Sequence, residues 1–271
     1  MGILDYAGLS DIGCRRATNQ DRWGVDTEQG LFIVADGVAG SSDGALAAEL
    51  VVKLLPSYLA RHLTPGQDND PNAAERLRDA AAELSDDLFT KGQIDPLIAG
   101  ATSTLVAAMV ADSHALLTHL GDSRAYLSRG GELHRLTSDH SLVQALIDAD
   151  QITDEEAKTH PARNVVIRYV AMPPPAQPDI AAVELQDGDR LMLSSDGLHG
   201  VVSENELARM LGGQSNPTDT CASLIEAARA AGGPDNITAV VIDVCGAADP
   251  GAHVSPSAAT PPGTAIPPGR N

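Results

Sequence analysis

Between Ser103 and Leu136 the sequence reads STLVAAMVAD, then HALLTHLGD, then RAYLSRGGELHRL, giving three or four apolar strand-like runs in close succession. Gly130 and Gly131 fall where a hairpin turn would reverse the chain. LFIVAD at Leu31, RLMLSSD before Gly197 and NITAVVIDV from Asn236 supply further strands. Long Ala- and Leu-rich stretches over 45–63 and 73–89 carry apolar residues at helical spacing. Shorter helices fit 141–150, 154–159, 204–211 and 218–231; Ser203 with Glu206 reads as a capping box, and Gly212 and Gly213 end that helix. Strands joined by hairpins and interrupted by helix pairs predict an α+β layered fold and argue against a regular βαβ wheel.

Composition narrows what such a fold can do. With 43% hydrophobic residues over 271 positions the chain can fill a sizeable core, as one large domain or two small ones. Aromatic residues are only 3%, which leaves little for a base-stacking surface. Basic residues number 18 and acidic ones 37, and the net charge of −19 repels phosphate backbones and anionic membrane surfaces, so neither nucleic acid nor membrane is expected as a partner. Cys14, Cys221 and Cys245 are far apart and odd in number, which gives neither a disulfide framework nor zinc-site spacing and suits a cytoplasmic setting. No signal-peptide pattern and no uninterrupted apolar span is seen. The Pro-, Ala- and Gly-rich stretch 246–271 has no periodic apolar face and is expected to be a disordered tail behind a folded domain over 1–245.

The chemistry is signalled by aspartates. Asp36, Asp122 and Asp196 each end an apolar run and touch Gly, in VADG, LGDS and SSDG, and Asp235 precedes the last strand in GGPDN. Taken singly, each is an ordinary turn residue. Converging, the four would offer hard oxygen ligands to a divalent cation such as Mg2+ or Mn2+. The eight histidines form no HExxH or His/Cys pairing, and there is no GxSxG elbow or Walker loop, so zinc hydrolysis, a serine nucleophile and nucleotide gripping are disfavoured.

GCRRATNQD, FIVADGVAG, LLTHLGDSRAYL, LTSDHSLV, MLSSDGLHGVVSENEL and GGPDNITAVVI, in that order from about Leu9 to Val244, resemble the type 2C metal-dependent protein Ser/Thr phosphatases, the PPM family, in their bacterial branch. The resemblance implies a four-layer αββα sandwich, two central antiparallel β-sheets flanked by helix pairs, with two Mn2+ or Mg2+ ions at one end and a possible weaker third. By motif, Asp36 would bridge the two metals, the Gly37 carbonyl would bind one, and Asp196 and Asp235 would complete the other. Asp122 would hold the third metal together with Asp196. Arg16, in G-x-x-R-x-x-N-[EQ]-D, would clamp the substrate phosphate, and Asp21 would order metal-bound water. Phosphoserine and phosphothreonine of proteins, the products of Ser/Thr kinases, would be hydrolysed by a metal-bridging hydroxide in line, without a phosphoenzyme, by a monomer. The reading from another class is a pseudophosphatase that captures phosphoproteins, but the intact Asp36, Asp196 and Asp235 favour turnover. Departures from the family pattern are Gln20 for Glu, Val38 and Ala39 in the Asp36-Gly37 loop, Ile167 for Thr, and His199 after the SDG motif.

Overall fold

Apolar runs become antiparallel strands here, and their two-residue alternation decides which layer each side chain enters. The computed structural model describes residues 3–38, 44–63, 72–111 and 113–245; the tail expected over 246–271 and the departure at Ala39 lie outside the described residues. The elements are β1 (Ile3–Asp11), β2 (Asp21–Asp26), β3 (Leu31–Val38), α1 (Gly44–His62), α2 (Ala73–Gly92), β4 (Thr102–Ser103), β5 (Leu105–Ala111), β6 (His114–Leu120), β7 (Arg124–Arg129) and β8 (Glu132–Arg135). After these come α3 (Leu142–Asp148), α4 (Asp154–Thr159), β9 (Asp179–Glu184), β10 (Arg190–Ser194), α5 (Asp196–His199), α6 (Glu204–Leu211), α7 (Pro217–Ala230) and β11 (Ile237–Cys245). One sheet runs β1-β11-β10-β7-β8 and the other β2-β3-β5-β6-β9, with β4 also paired to β3. All of these pairings are antiparallel.

Three apolar layers hold the stack together. On β3, Leu31, Ile33 and Ala35 pack with Leu55, Leu59, Leu77 and Leu84 of α1 and α2. The alternate residues Phe32 and Val34 pack with Leu191, Leu193, Val240 and Ile242 of the facing sheet. Behind that sheet, Met192, Ala239 and Val241 meet Leu207 of α6 and Leu224, Ile225 and Ala228 of α7. Each buried Leu, Ile, Val, Phe or Met contributes about 1.5–3 kcal/mol, and a one-residue slip of β3 would exchange both of its faces at once. Register is therefore locked, and with it the place of Asp36 in the strand. The expected αββα sandwich is present, with α1 and α2 on one side and α5, α6 and α7 on the other.

Three strands were not visible in the sequence, β1, β2 and β9, and all three lie at sheet edges. An edge strand has one neighbour and an open flank, so its apolar pattern is diluted: β9 alternates intermediate and exposed residues along its length. The capping box expected at Ser203 is half made. The Ser203 hydroxyl accepts the Glu206 N–H at 3.3 Å, but the Glu206 carboxylate has turned to Arg209 at 2.6 Å. The reciprocal box forms instead at Thr153 and Glu156, opening α4.

Candidate metal centre

Two strands, a helix start and two turns converge at the same end of the sandwich. Asp36 lies within β3 after its apolar run, Asp122 sits between β6 and β7, Asp196 is the first residue of α5 after β10, and Asp235 precedes β11. Asp21 opens β2 directly opposite Asp36 in the ladder. The Asp36 carboxyl feels the charges of Asp21, Asp196, Asp122 and Asp235 together, so the aspartates singled out in the sequence are brought into one group.

The Asp–Gly pairing has a steric reason. A Cβ on Gly37 would stand 2.1 Å from the Gly44 carbonyl oxygen at the start of α1, and one on Gly197 would stand 1.8 Å from the Asn236 carbonyl oxygen. Side-chain-free backbone is what allows α1 and the 235–236 turn to close on the carboxylates.

Polar residues from other elements fix the Asp21 carboxylate and the backbone around the other aspartates. The Asp21 Oδ2 accepts from Ser195 Oγ and from Thr238 Oγ1, each at 2.7 Å, which ties β2 to the opposite sheet. The Asp36 N–H donates to Thr104 Oγ1 at 3.0 Å, and its carbonyl accepts from the Thr104 N–H at 2.8 Å. Thr104 Oγ1 also lies 2.7 Å from Ser123 Oγ, linking the Asp36 strand to the Asp122 turn. Asn236 receives the Gln20 N–H at 2.8 Å and donates to the Ile12 and Thr18 carbonyls at 3.0 Å, fixing the loop that carries Arg16. Thr104, Ser195, Asn236 and Thr238 escaped the sequence reading. Their one signal is a polar residue within or at the edge of an otherwise apolar strand, and what it binds is across the fold.

Electrostatics of the group favour a cation. Burial, and then repulsion from its neighbours, raises Asp36 well above the usual carboxylate range. The same causes push Asp196 up to about 8. Asp122 is pushed up to about 6 by burial and by Asp139, and Asp21 is raised chiefly by burial. Buried Asp21 Oδ1 and Asp196 Oδ1 find no hydrogen-bond donor. Unpartnered carboxylate oxygens at this depth are expensive unless a cation balances them, and a hard, oxygen-preferring divalent ion fits such a donor set. Arg16 supplies one positive charge at the rim: Nη2 donates to Asp235 Oδ2 at 2.6 Å, and this bond raises the guanidinium pKa. Its side chain remains 42% exposed, open to a ligand from solvent.

Three of the noted departures have definite places. Val38 and Ile167 are exposed apolar side chains. His199 is packed inward, its Nδ1 2.9 Å from Ser194 Oγ and its ring bonded to the Asp122 backbone. A separate group, His119, His140 and Asp179, brings ligand-capable atoms within 4.8 Å of one another.

Comparison with known proteins gives the same direction. A sequence profile described as Protein phosphatase 2C matches residues 14–230. The chain is similar to protein phosphatase PhpP of Streptococcus pneumoniae, 33% identical over 247 residues, covering 89% of this chain and 98% of that protein. It is also similar to serine/threonine protein phosphatase PstP of Mycobacterium tuberculosis, 36% identical over 245 residues, covering 89% of this chain and 45% of that protein. A crystal structure of the PstP catalytic domain in complex with two manganese ions superimposes with a TM-score of 0.75 at 33% identity, covering 89% of this chain and 98% of that one.

Proposed function

Since this chain belongs to the protein phosphatase 2C family and is a metal-dependent protein serine/threonine phosphatase, we propose that Asp36, Asp196 and Asp235 with the Gly37 carbonyl hold its two divalent cations, and that Asp122 with Asp196 holds a weaker third. Mn2+ and Mg2+ are the ions this oxygen donor set suits. The observation that carries the reading is the set of buried and half-buried carboxylates raised by desolvation and mutual repulsion, two of them with an unpartnered buried oxygen. When bound, such ions activate water as the nucleophile and neutralise the phosphoryl oxygens during in-line displacement.

The chain's own residues divide the remaining work. Asp21, anchored by Ser195 and Thr238, keeps its Oδ1 free to accept from water inside the group. Arg16, exposed and bonded to Asp235, presents a planar two-pronged donor that matches two phosphate oxygens. With all of these carboxylates present, turnover is favoured over mere capture of phosphoproteins.

We read the substrates as phosphoserine and phosphothreonine proteins made by Ser/Thr kinases, and the protein as a cytoplasmic monomer, not a nucleic-acid or membrane binder, whose catalytic domain spans 1–245. The net charge of −19 and the free thiols of Cys14, Cys221 and Cys245 support this setting. Among the described residues no helix is long and apolar enough to cross a membrane. The test is hydrolysis of p-nitrophenyl phosphate and a phosphothreonine peptide with Mn2+ and with EDTA. Turnover that needs the ion supports the assignment; Mn2+ binding without turnover on either substrate points to capture, and absence of Mn2+ binding overturns the site.

A further inference from the structure

The turn that carries Asp122 is gripped by a residue outside the carboxylate group. The buried Gly121 N–H donates to His140 Nδ1 at 3.2 Å, and the Gly121 carbonyl accepts from the His140 N–H at 2.9 Å. Gly121 has φ +111°, and a Cβ there would lie 2.7 Å from Thr104, so this backbone is fixed in a conformation that only glycine holds without strain. Because His140 Nδ1 accepts, its ring proton is on Nε2, which faces Asp179 Oδ2 at 3.1 Å. Arg168 holds Asp179 with two donors, at 2.7 and 3.2 Å. The Ile167 N–H donates to the His140 carbonyl at 2.7 Å. Beneath it, His119 stacks on His140 with ring centroids 4.4 Å apart and directs Nε2 to the Ser138 carbonyl at 2.8 Å. His140 Nδ1 and His119 Nε2 are both bonded, His140 Nε2 approaches Asp179 Oδ2 at 3.1 Å without completing a hydrogen bond, and Arg168 places a positive charge on Asp179. That arrangement argues against a second metal site and for a brace.

We propose that His140 is a positioning residue for Asp122: through its two bonds to Gly121 it sets the turn that aims the Asp122 carboxylate, and through Asp179 and Arg168 it ties that turn to the segment between α4 and β9. The proposal rests on the reading of Asp122 as a ligand of the weaker cation. Groups that support bound ligands in this way are known to alter metal affinity roughly 10- to 100-fold when removed.

Three variants of the full chain separate the possibilities. In His140→Asn the amide oxygen overlays Nδ1 and can still accept the Gly121 N–H. In His140→Gln the amide overlays Nε2 and leaves that N–H unpaired. Both lose the ring stacked on His119, so both should melt lower. Asp122→Asn removes the ligand itself. Mn2+ binding is measured by calorimetry and by electron paramagnetic resonance of free Mn2+, alongside the Mn2+ dependence of phosphopeptide turnover. We expect the tight sites to be little changed in both His140 variants. Weak-site affinity should fall roughly 10- to 100-fold in His140→Gln and be largely rescued in His140→Asn. Equal weak-site affinity in the two His140 variants, with Asp122→Asn still abolishing that site, would overturn the positioning role alone. A weak site untouched by Asp122→Asn would overturn the reading of Asp122, and this proposal with it.

Discussion

Asp21 and Asp36 stand directly opposite each other across the β2–β3 ladder. Like charges in cross-strand register are destabilising, and here both carboxyls are also buried, so both are raised in pKa. The fold nevertheless fixes them there, Asp21 through Ser195 and Thr238, Asp36 through Thr104. A site whose geometry is maintained against its own electrostatics is organised for a cation.

Replacing Asp36 or Asp196 by Asn should have opposite effects on function and on metal-free stability. Metal-dependent turnover should fall about a thousandfold or more, equivalent to roughly 4 kcal/mol of transition-state stabilisation. Without metal, each variant should melt higher than the parent, because a buried, mutually repelled charge has been removed. Steady-state kinetics and thermal melts in EDTA check both; a variant that keeps its turnover refutes the ligand role.

The metal-free protein should lose stability as pH rises from about 6.5 to about 8. Asp196 has a folded pKa of about 8 against an ordinary 3.8, so over that range the folded state binds more protons than the unfolded one. Stability from such a raised acid is present below the ordinary value and lost on the way up to the folded one. His140, lowered to about 4 from 6.5 chiefly by burial, acts in the opposite sense, but only below about 6.5. The slope should flatten in Asp196→Asn and in saturating Mn2+, and Mn2+ binding near neutral pH should release on the order of one proton, measurable by calorimetry in two buffers.

Arg16 should matter more for substrate than for metal. Arg16→Ala should lower kcat/KM for a phosphopeptide roughly 10- to 100-fold, the range expected for hydrogen bonds to a charged group. Arg16→Lys should recover only part of this, since a point charge cannot supply the paired donors. Tight-site Mn2+ affinity should hold or rise slightly, because Asp235 loses a competing partner.

Gly37→Ala should be damaging despite its small size. The added methyl would meet the Gly44 carbonyl at 2.1 Å and the Gln20 carbonyl at 2.9 Å, both backbone atoms that cannot swing away. A destabilisation of about 1–3 kcal/mol is expected, read as a lower melting temperature and a weakened Mn2+ response. An unaltered melt would mean that α1 can shift freely relative to β3.

The central strands were legible because burial on both faces writes a continuous apolar run, as in Leu31 to Ala35 and Leu105 to Val110. Edge strands β1, β2 and β9 lacked that signal for the converse reason. Asp36, Asp122 and Asp196 were legible as Asp beside Gly or Ser, because segments that must approach one another closely need small neighbours, whereas Asp235 showed as a turn residue in GGPDN and Asp21 only through the family motif. The residues that hold them were not. Thr104, Ser195, Asn236, Thr238 and His140 are ordinary polar residues in the chain, and their partners lie far away in sequence: Thr238 bonds Asp21, and Asn236 bonds Gln20.

By itself, then, the sequence determined which layers could form and which carboxylates could meet, since periodicity and turn chemistry are local properties of the chain. Only the tertiary structure decided that Asp21 faces Asp36, that Arg16 rests on Asp235 and that His140 grips Gly121. Those pairings depend on the register of strands and the packing of loops across the sandwich, and hydrogen bonds made at such range leave no spacing for a sequence to display.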